Sequence, residues 1–184
     1  MLGGIAWNDY VNEHRLTRDD GARSFSFYCA STPPCVDNQM MEALKSFSIT
    51  ENSDVRICLH DNPRANFQNM IILHRSCHFY RPHRHVKNGE IYHLLDGVLG
   101  IPFFNSRSLV TSLYRLSMDD CVMASIPVNA DHAMFPLSEV VIFHECKLGP
   151  FVPGEDTIVP DWAPAIDDDN GINLYKDRIT KYFN

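Results

Sequence analysis

The sequence has no basic stripe and no Lys/Arg cluster. Its 23 acidic side chains outnumber 16 basic ones, for a formal net charge of −7. A nucleic-acid groove needs the opposite balance, so nucleic acid is not an expected partner. No stretch approaches the roughly 18 consecutive apolar residues of a membrane span, so no membrane is expected either. The opening Met1-Leu2-Gly3-Gly4-Ile5-Ala6-Trp7-Asn8-Asp9-Tyr10 lacks a charged leader and a long apolar run. That pattern carries no export signal, and a cytoplasmic location is the expectation. Cys29, Cys35, Cys58, Cys77, Cys121 and Cys146 include no Cys-x-x-Cys pair. This excludes a zinc knuckle and leaves reduced thiols, mostly small buried hydrophobes. Cys29 and Cys35 are the one close pair. There is no internal repeat and no low-complexity segment.

What is present suits a sheet. Hydrophobic residues make up 45% of 184, with eleven Phe and seven Tyr. Aromatic side chains of this abundance favour strands over a helical bundle. The length suits one domain, with an N-terminal arm and helix to residue 54, a barrel over 55–150, and a C-terminal loop and helix over 151–184. Met40, Met41, Leu44 and Phe47 recur at helical spacing after Pro34 and predict an amphipathic helix over 36–47. Strand patterns cover 24–29, 55–60, 68–75, 78–85, 90–96, 98–104, 109–116, 121–126, 131–136 and 139–147. Short strands at regular spacing, joined by Gly, Pro, Asn, Asp and Ser, predict an all-β sandwich or barrel. The Pro-rich tail, 149–164, reads as an ordered loop over the sheet, because Pro removes ladder donors. Asp167-Asp168-Asp169 reads as the N-terminal cap of a helix over 171–183. It lacks the spaced acids of a calcium loop.

The chemistry concentrates in Arg81-Pro82-His83-Arg84-His85, the turn Lys87-Asn88-Gly89, and Glu90-Ile91-Tyr92. On a strand over 81–85, alternate residues share a face, so His83 and His85 project together, with Arg81 beside them. The turn returns Glu90 to the same place. Two imidazoles and a carboxylate form a donor set for a divalent transition metal. Downstream, Pro127 ends a strand and Asn129 can take a left-handed turn conformation. His132 opens the next strand and can return to the same face.

His83-x-His85-x4-Glu90-x6-Gly97 resembles the first cupin motif, and Pro127-x-Asn129-x2-His132 the second. In the second, Asn129 replaces a glycine, Cys121 the leading glycine and Pro136 a frequent asparagine. These departures concern turns and packing rather than ligands. Arg56-x-Cys58-x-His60, Arg81 to His85, His144-Glu145-Cys146-Lys147-Leu148-Gly149-Pro150-Phe151 and Asp161-Trp162-Ala163-Pro164 together resemble the WbuC family of cupin-fold proteins. The resemblance covers about 55–165. It implies an all-β cupin double-stranded β-helix, a jelly-roll barrel with an N-terminal and a C-terminal helix. It also implies one divalent metal (Fe, Mn, Ni or Zn) on His83, His85, Glu90 and His132. The family accompanies surface-polysaccharide and O-antigen gene clusters. A sugar or nucleotide-sugar substrate, with isomerisation or epimerisation, follows as the expectation. An Fe(II) dioxygenase and a non-catalytic, metal-dependent sugar-binding or regulatory module are the alternatives.

Further residues have candidate roles beside plainer structural ones. Arg81 could hold a substrate carboxylate or phosphate bidentately, or form a rim ion pair. Tyr92 shares parity with Glu90 and could move a proton, or line the barrel. Glu145 in the last barrel strand and His60 in the N-terminal strand complete the catalytic candidates. His74, His78, His93 and His144 read as structural. A homodimer through an outer sheet face is expected, because barrels of this type often pair that way.

Overall fold

The computed structural model describes residues 6–20, 24–29, 32–152 and 154–183. Trp7–Glu13 forms α1 and Leu16–Arg18 forms β1, neither of which the hydrophobic pattern announces. Phe25–Cys29 is β2. Helix α2 spans Asn38–Glu51, and the Asp37 carboxylate at its N-cap accepts from the Met40 N–H at 3.0 Å. The capped start satisfies an orphan helix donor. The helix ends at Asn52, in the left-handed region with φ 49°. Its stripe of Met40, Ala43, Leu44 and Phe47 is buried, at the spacing of one helix face.

Val55–Cys58 is β3, parallel to β2, so α2 lies in the crossover between them. Then follow β4 (Phe67–Arg75), β5 (Arg84–His85), β6 (Glu90–Asp96), β7 (Val98–Phe104) and β8 (Val110–Ser117). After them come β9 (Met123–Ile126), β10 (Asp131–His132), β11 (Phe135–Pro136), β12 (Val140–Leu148), β13 (Thr157–Ile158) and α3 (Asp169–Thr180).

Seven strands form one sheet in the order β1-β2-β3-β4-β12-β6-β9. In the second sheet β10 and β11 both pair with β7, and β8 pairs with it as well. The two sheets face each other across Met70, Ile72, Tyr92, Leu94, Leu99, Ile101, Phe103, Val141 and Phe143. Alternate residues of the larger sheet, Ile57, Ile71, Leu73 and Ile142, pack outward against α1 and α2. Helix α3 covers the outside of the smaller sheet through Tyr175 and Ile179 against Phe104 and Ala133. This is the cupin double-stranded β-helix. Among the described residues no helix is long and apolar enough to cross a membrane, and all six cysteines are free.

Two strand expectations need correction. The pattern over 78–85 yields only Arg84–His85 as a strand. The chain turns at 75–78, where His78 N–H donates to Arg75 O, and Pro82 has no N–H to give a ladder. His83 joins by an isolated bridge, exchanging two 2.9 Å backbone bonds with His132. The pattern over 131–136 splits into β10 and β11. The tail also contributes β13, antiparallel to β5. The acidic run does cap α3: Asp168 accepts from the Gly171 N–H at 2.9 Å.

Candidate metal centre

Strand alternation places Glu90, Tyr92 and Leu94 of β6 on the inner face of the larger sheet. Register with β12 sets Glu145 opposite Tyr92 and Lys147 opposite Glu90. The His83–His132 bridge brings two histidines together from the other side, with ring centroids 4.7 Å apart. Ligand atoms of His83, Glu90 and His132 all lie within 4.8 Å of one another. His85 joins this group through Glu90, its Nε2 being 2.9 Å from Oε1.

Each imidazole is oriented through its other nitrogen. Nδ1 of His83 lies 3.0 Å from Arg81 O, and Nδ1 of His132 lies 2.9 Å from Ala130 O. A carbonyl can only accept, so these rings carry the proton on Nδ1 and leave Nε2 bare toward the cluster. Nδ1 of His85 instead meets the Asp156 carboxylate at 2.8 Å. With a carboxylate at each nitrogen, His85 is held as an imidazolium here. Its pKa is raised: burial opposes this, but the bond to Glu90 outweighs it. Burial pushes the His83 pKa down to about 4, and neighbouring His132 works in the same direction, so His83 stays neutral.

Glu90 is the hub. Its Oε1 accepts from Lys147 Nζ at 2.6 Å, and its Oε2 accepts from the Tyr92 hydroxyl at 2.6 Å. His132 Nε2 stands 3.6 Å from Oε2, in contact but beyond hydrogen-bond range. Burial alone would raise the Glu90 pKa. The His85 imidazolium and the Lys147 ammonium, both on Oε1, hold it well below the usual carboxylate range. Burial and the Glu90 charge push the Tyr92 pKa well up, so its hydroxyl keeps its proton. Glu145 is also buried, 3.3 Å from Lys147 Nζ. Burial, and then the Glu90 charge, raise its pKa. Lys147 is shifted up: burial opposes this, and the two carboxylates prevail.

The remaining candidates have other partners. Arg81 Nη2 reaches Ala163 O at 3.4 Å, and its Nε is buried without a partner among the described residues. His60 is paired through Nδ1 with the backbone of Asn69, at 3.0 Å from Asn69 N and 3.1 Å from Asn69 O. Two residues of the site were given no role from the sequence. Lys147 is identified by the β12–β6 register, and Asp156 by a contact across 71 positions.

The residues present fit a divalent transition metal. Bare Nε2 atoms of His83 and His132 and the Glu90 carboxylate face one another, and exchange of the Nε2 proton of His85 would add a further nitrogen. Nitrogen with one carboxylate is a donor set for Fe, Mn, Ni or Zn rather than Mg or Ca.

No family model matches the sequence, and no curated protein matches it. Several solved structures are similar. The capsular polysaccharide assembling protein CapF of Staphylococcus aureus is 19% identical over 56% of this chain and 29% of its own, with a TM-score of 0.48. Lactobacillus farciminis oxalate decarboxylase, as a formate complex, is 22% identical over 51% of this chain and 26% of its own, at 0.41. A Shewanella oneidensis protein is 12% identical over 84% of each chain, at 0.48. This chain spans under a third of the length of the first two.

Proposed function

We propose that this cupin is a metal-dependent enzyme acting on a small polyoxygenated substrate, a sugar or nucleotide-sugar, by isomerisation or epimerisation. One observation carries the reading: Glu90 of the metal-fitting cluster is also bonded to two proton-bearing side chains inside the barrel, Tyr92 and Lys147. Burying such groups costs free energy and needs a compensating role. The resemblance to the WbuC family supports the substrate class and a place in surface-polysaccharide assembly.

His83, His85, Glu90 and His132 would hold the metal, which when bound would polarise substrate oxygens and acidify adjacent C–H or O–H bonds. Tyr92 keeps its proton and can give it to a substrate oxygen. Glu145, with its raised pKa, can take or return a proton at carbon. Lys147 supplies a fixed positive charge for an oxyanion or a phosphate oxygen. Arg81 and His60, candidates in the sequence, contact Ala163 O and the Asn69 backbone, and the reading assigns them no step.

The test begins with elemental analysis of protein purified without a chelator or a histidine tag, beside a His83→Ala/His132→Ala double variant. About one equivalent of metal, lost in the variant, is expected. The metal-loaded protein is then incubated with a panel of nucleotide-sugars in D2O and followed by NMR. Solvent deuterium entering carbon supports the isomerase reading. Oxygen consumption with an oxidised product would replace it by dioxygenation. Metal-dependent binding with the sugar recovered unlabelled would replace it by a binding module. Turnover that survives loss of all four ligands would defeat the metal mechanism.

A further inference from the structure

His83 and His132 are oriented by carbonyls two residues upstream in their own segments, Arg81 O and Ala130 O. Those acceptors are present whenever the local backbone is formed. His85 is different: its Nδ1 is held by Asp156, 71 residues downstream. The same carboxylate accepts from the backbone N–H groups of Val86 at 3.1 Å and Lys87 at 2.7 Å through Oδ1. The Val86 N–H also donates to Asp156 O at 3.0 Å. Thr157 pairs with His85 and Ile158 with Arg84 in the β13–β5 ladder, and Thr157 Oγ1 lies 3.4 Å from His85 Nδ1. At the surface Glu155 pairs with Lys87 at 2.5 Å. Residues 154–158 thus form a strap across the β5 end of the barrel. Beneath it Lys147, Gln68 and Asp156 line a cavity of about 10 Å³, near the size of one water.

We propose that Asp156 is a positioning residue of the metal centre, and that docking of the strap and loading of a divalent transition metal are coupled through His85. With the strap docked, Asp156 fixes the ring plane and holds the Nδ1 proton, so Nε2 faces Glu90. With the strap lifted, His85 loses its orienting acceptor and the β5 backbone loses its partners. Coupling of this kind is reciprocal: whatever the docked strap adds to metal affinity, bound metal returns to strap docking. Carboxylates behind a ligating histidine contribute about 10–100-fold in metal affinity. The proposal rests on reading the cluster as a metal site.

The test measures Zn²⁺ affinity by competition with a chromophoric chelator for the wild type, Asp156→Asn, Asp156→Ala and Glu155→Gln. Glu155→Gln removes only the strap's exposed ion pair with Lys87, which contributes little to docking, and does not touch His85. The same proteins are followed by amide exchange at Val86 and Lys87 with and without Zn²⁺, and by the visible spectrum of the Co²⁺-loaded form. The expected result is a loss of about 10–100-fold for both Asp156 variants, a shifted Co²⁺ spectrum, and little change for Glu155→Gln. In the wild type Zn²⁺ should slow exchange at Val86 and Lys87. That readout needs no variant, so it decides the matter even if the Asp156 variants fold poorly. Wild-type Zn²⁺ binding with no change in exchange at Val86 and Lys87, or with unchanged affinity in a folded Asp156→Asn, would overturn the proposal alone. A wild type that binds no Zn²⁺ or Co²⁺ would overturn the metal reading together with it.

Discussion

The Tyr92 hydroxyl donates to Oε2 of Glu90 at 2.6 Å, from two residues further along the same strand and the same inner face. The ring is fully buried and sits edge-on to Phe143 at 5.5 Å. Tyr92→Phe keeps that packing and removes only the oxygen. Glu90 then retains Lys147 and His85 on Oε1. Losing a hydrogen bond to a charged group should cost about 1.5–3 kcal/mol of stability. If Tyr92 moves a proton, kcat should also fall by about 10²–10⁴-fold with metal content unchanged. Turnover at the wild-type rate would leave Tyr92 a purely structural residue.

Lys147 stands between two buried carboxylates, at 2.6 Å from Glu90 and 3.3 Å from Glu145. Lys147→Met leaves those carboxylates without their shared cation. Breaking a buried ion pair on one side should destabilise the metal-free protein by about 3–5 kcal/mol. Adding Glu145→Gln removes one of the two charges and should recover a large part of the loss. A divalent metal supplies the missing positive charge, so the thermal shift on adding Zn²⁺ should be larger for Lys147→Met than for the wild type. Equal destabilisation of the single and double variants would show that the Glu145 contact carries no weight.

The grouping of His83, His85, Glu90 and His132 was legible where its geometry is local. His83, His85, Glu90 and Tyr92 lie within ten residues, and strand alternation relates Glu90 to Tyr92 directly. His132 was legible from a proline, a turn residue and spacing. Lys147 was not, although neighbouring Glu145 was singled out, because its place opposite Glu90 depends on strand register. Asp156 was not, because a Pro-rich tail carries no periodicity and the contact crosses 71 positions. Arg81 was placed by strand parity, which has no force there because the segment before Arg84 is not strand. The α2 stripe and most barrel strands followed from their periods. Helix α1 spans seven residues and buries only Tyr10, too little to give a pattern.

His74 should make stability depend on pH. Its ring stacks on Tyr80 at 4.0 Å and meets Phe143 edge-on at 5.2 Å, and its Nδ1 is buried without a partner among the described residues. Burial pushes its pKa from 6.5 down to about 4, against the pull of Asp54. Between those values the unfolded chain binds a proton that the folded chain refuses. The stability is therefore fully present above pH 6.5 and is lost as pH falls toward 4. The share from His74 is about 3 kcal/mol. His83, also near 4 in the metal-free protein, acts in the same direction. Urea unfolding of metal-free His74→Phe across this range should show a shallower loss than the wild type, though not a flat one. An identical slope would mean that the folded protein accepts the proton on His74.

Two turn positions of the cupin motifs impose different demands. Asn129 has φ 62°, and its N–H donates to His85 O at 2.7 Å. Only the left-handed backbone matters to the choice of residue there, and Asn adopts it routinely. Gly97, between β6 and β7, has φ 84°, and a Cβ on it would lie 2.5 Å from both Val140 O and Ser138 Oγ. There the backbone angle and the space both require glycine. Asn129→Gly should therefore change stability by less than about 0.5 kcal/mol, the range of a substitution that breaks no special feature. Gly97→Ala should cost at least the roughly 1–3 kcal/mol of a side chain forced into that backbone region, with more from the contact with Val140. Gly97→Asn should fare no better, because a residue that tolerates the angle still carries the Cβ. Urea midpoints for the three variants check this. A Gly97→Asn variant as stable as the wild type would mean that the Ser138–Val140 segment yields and the glycine serves the angle alone.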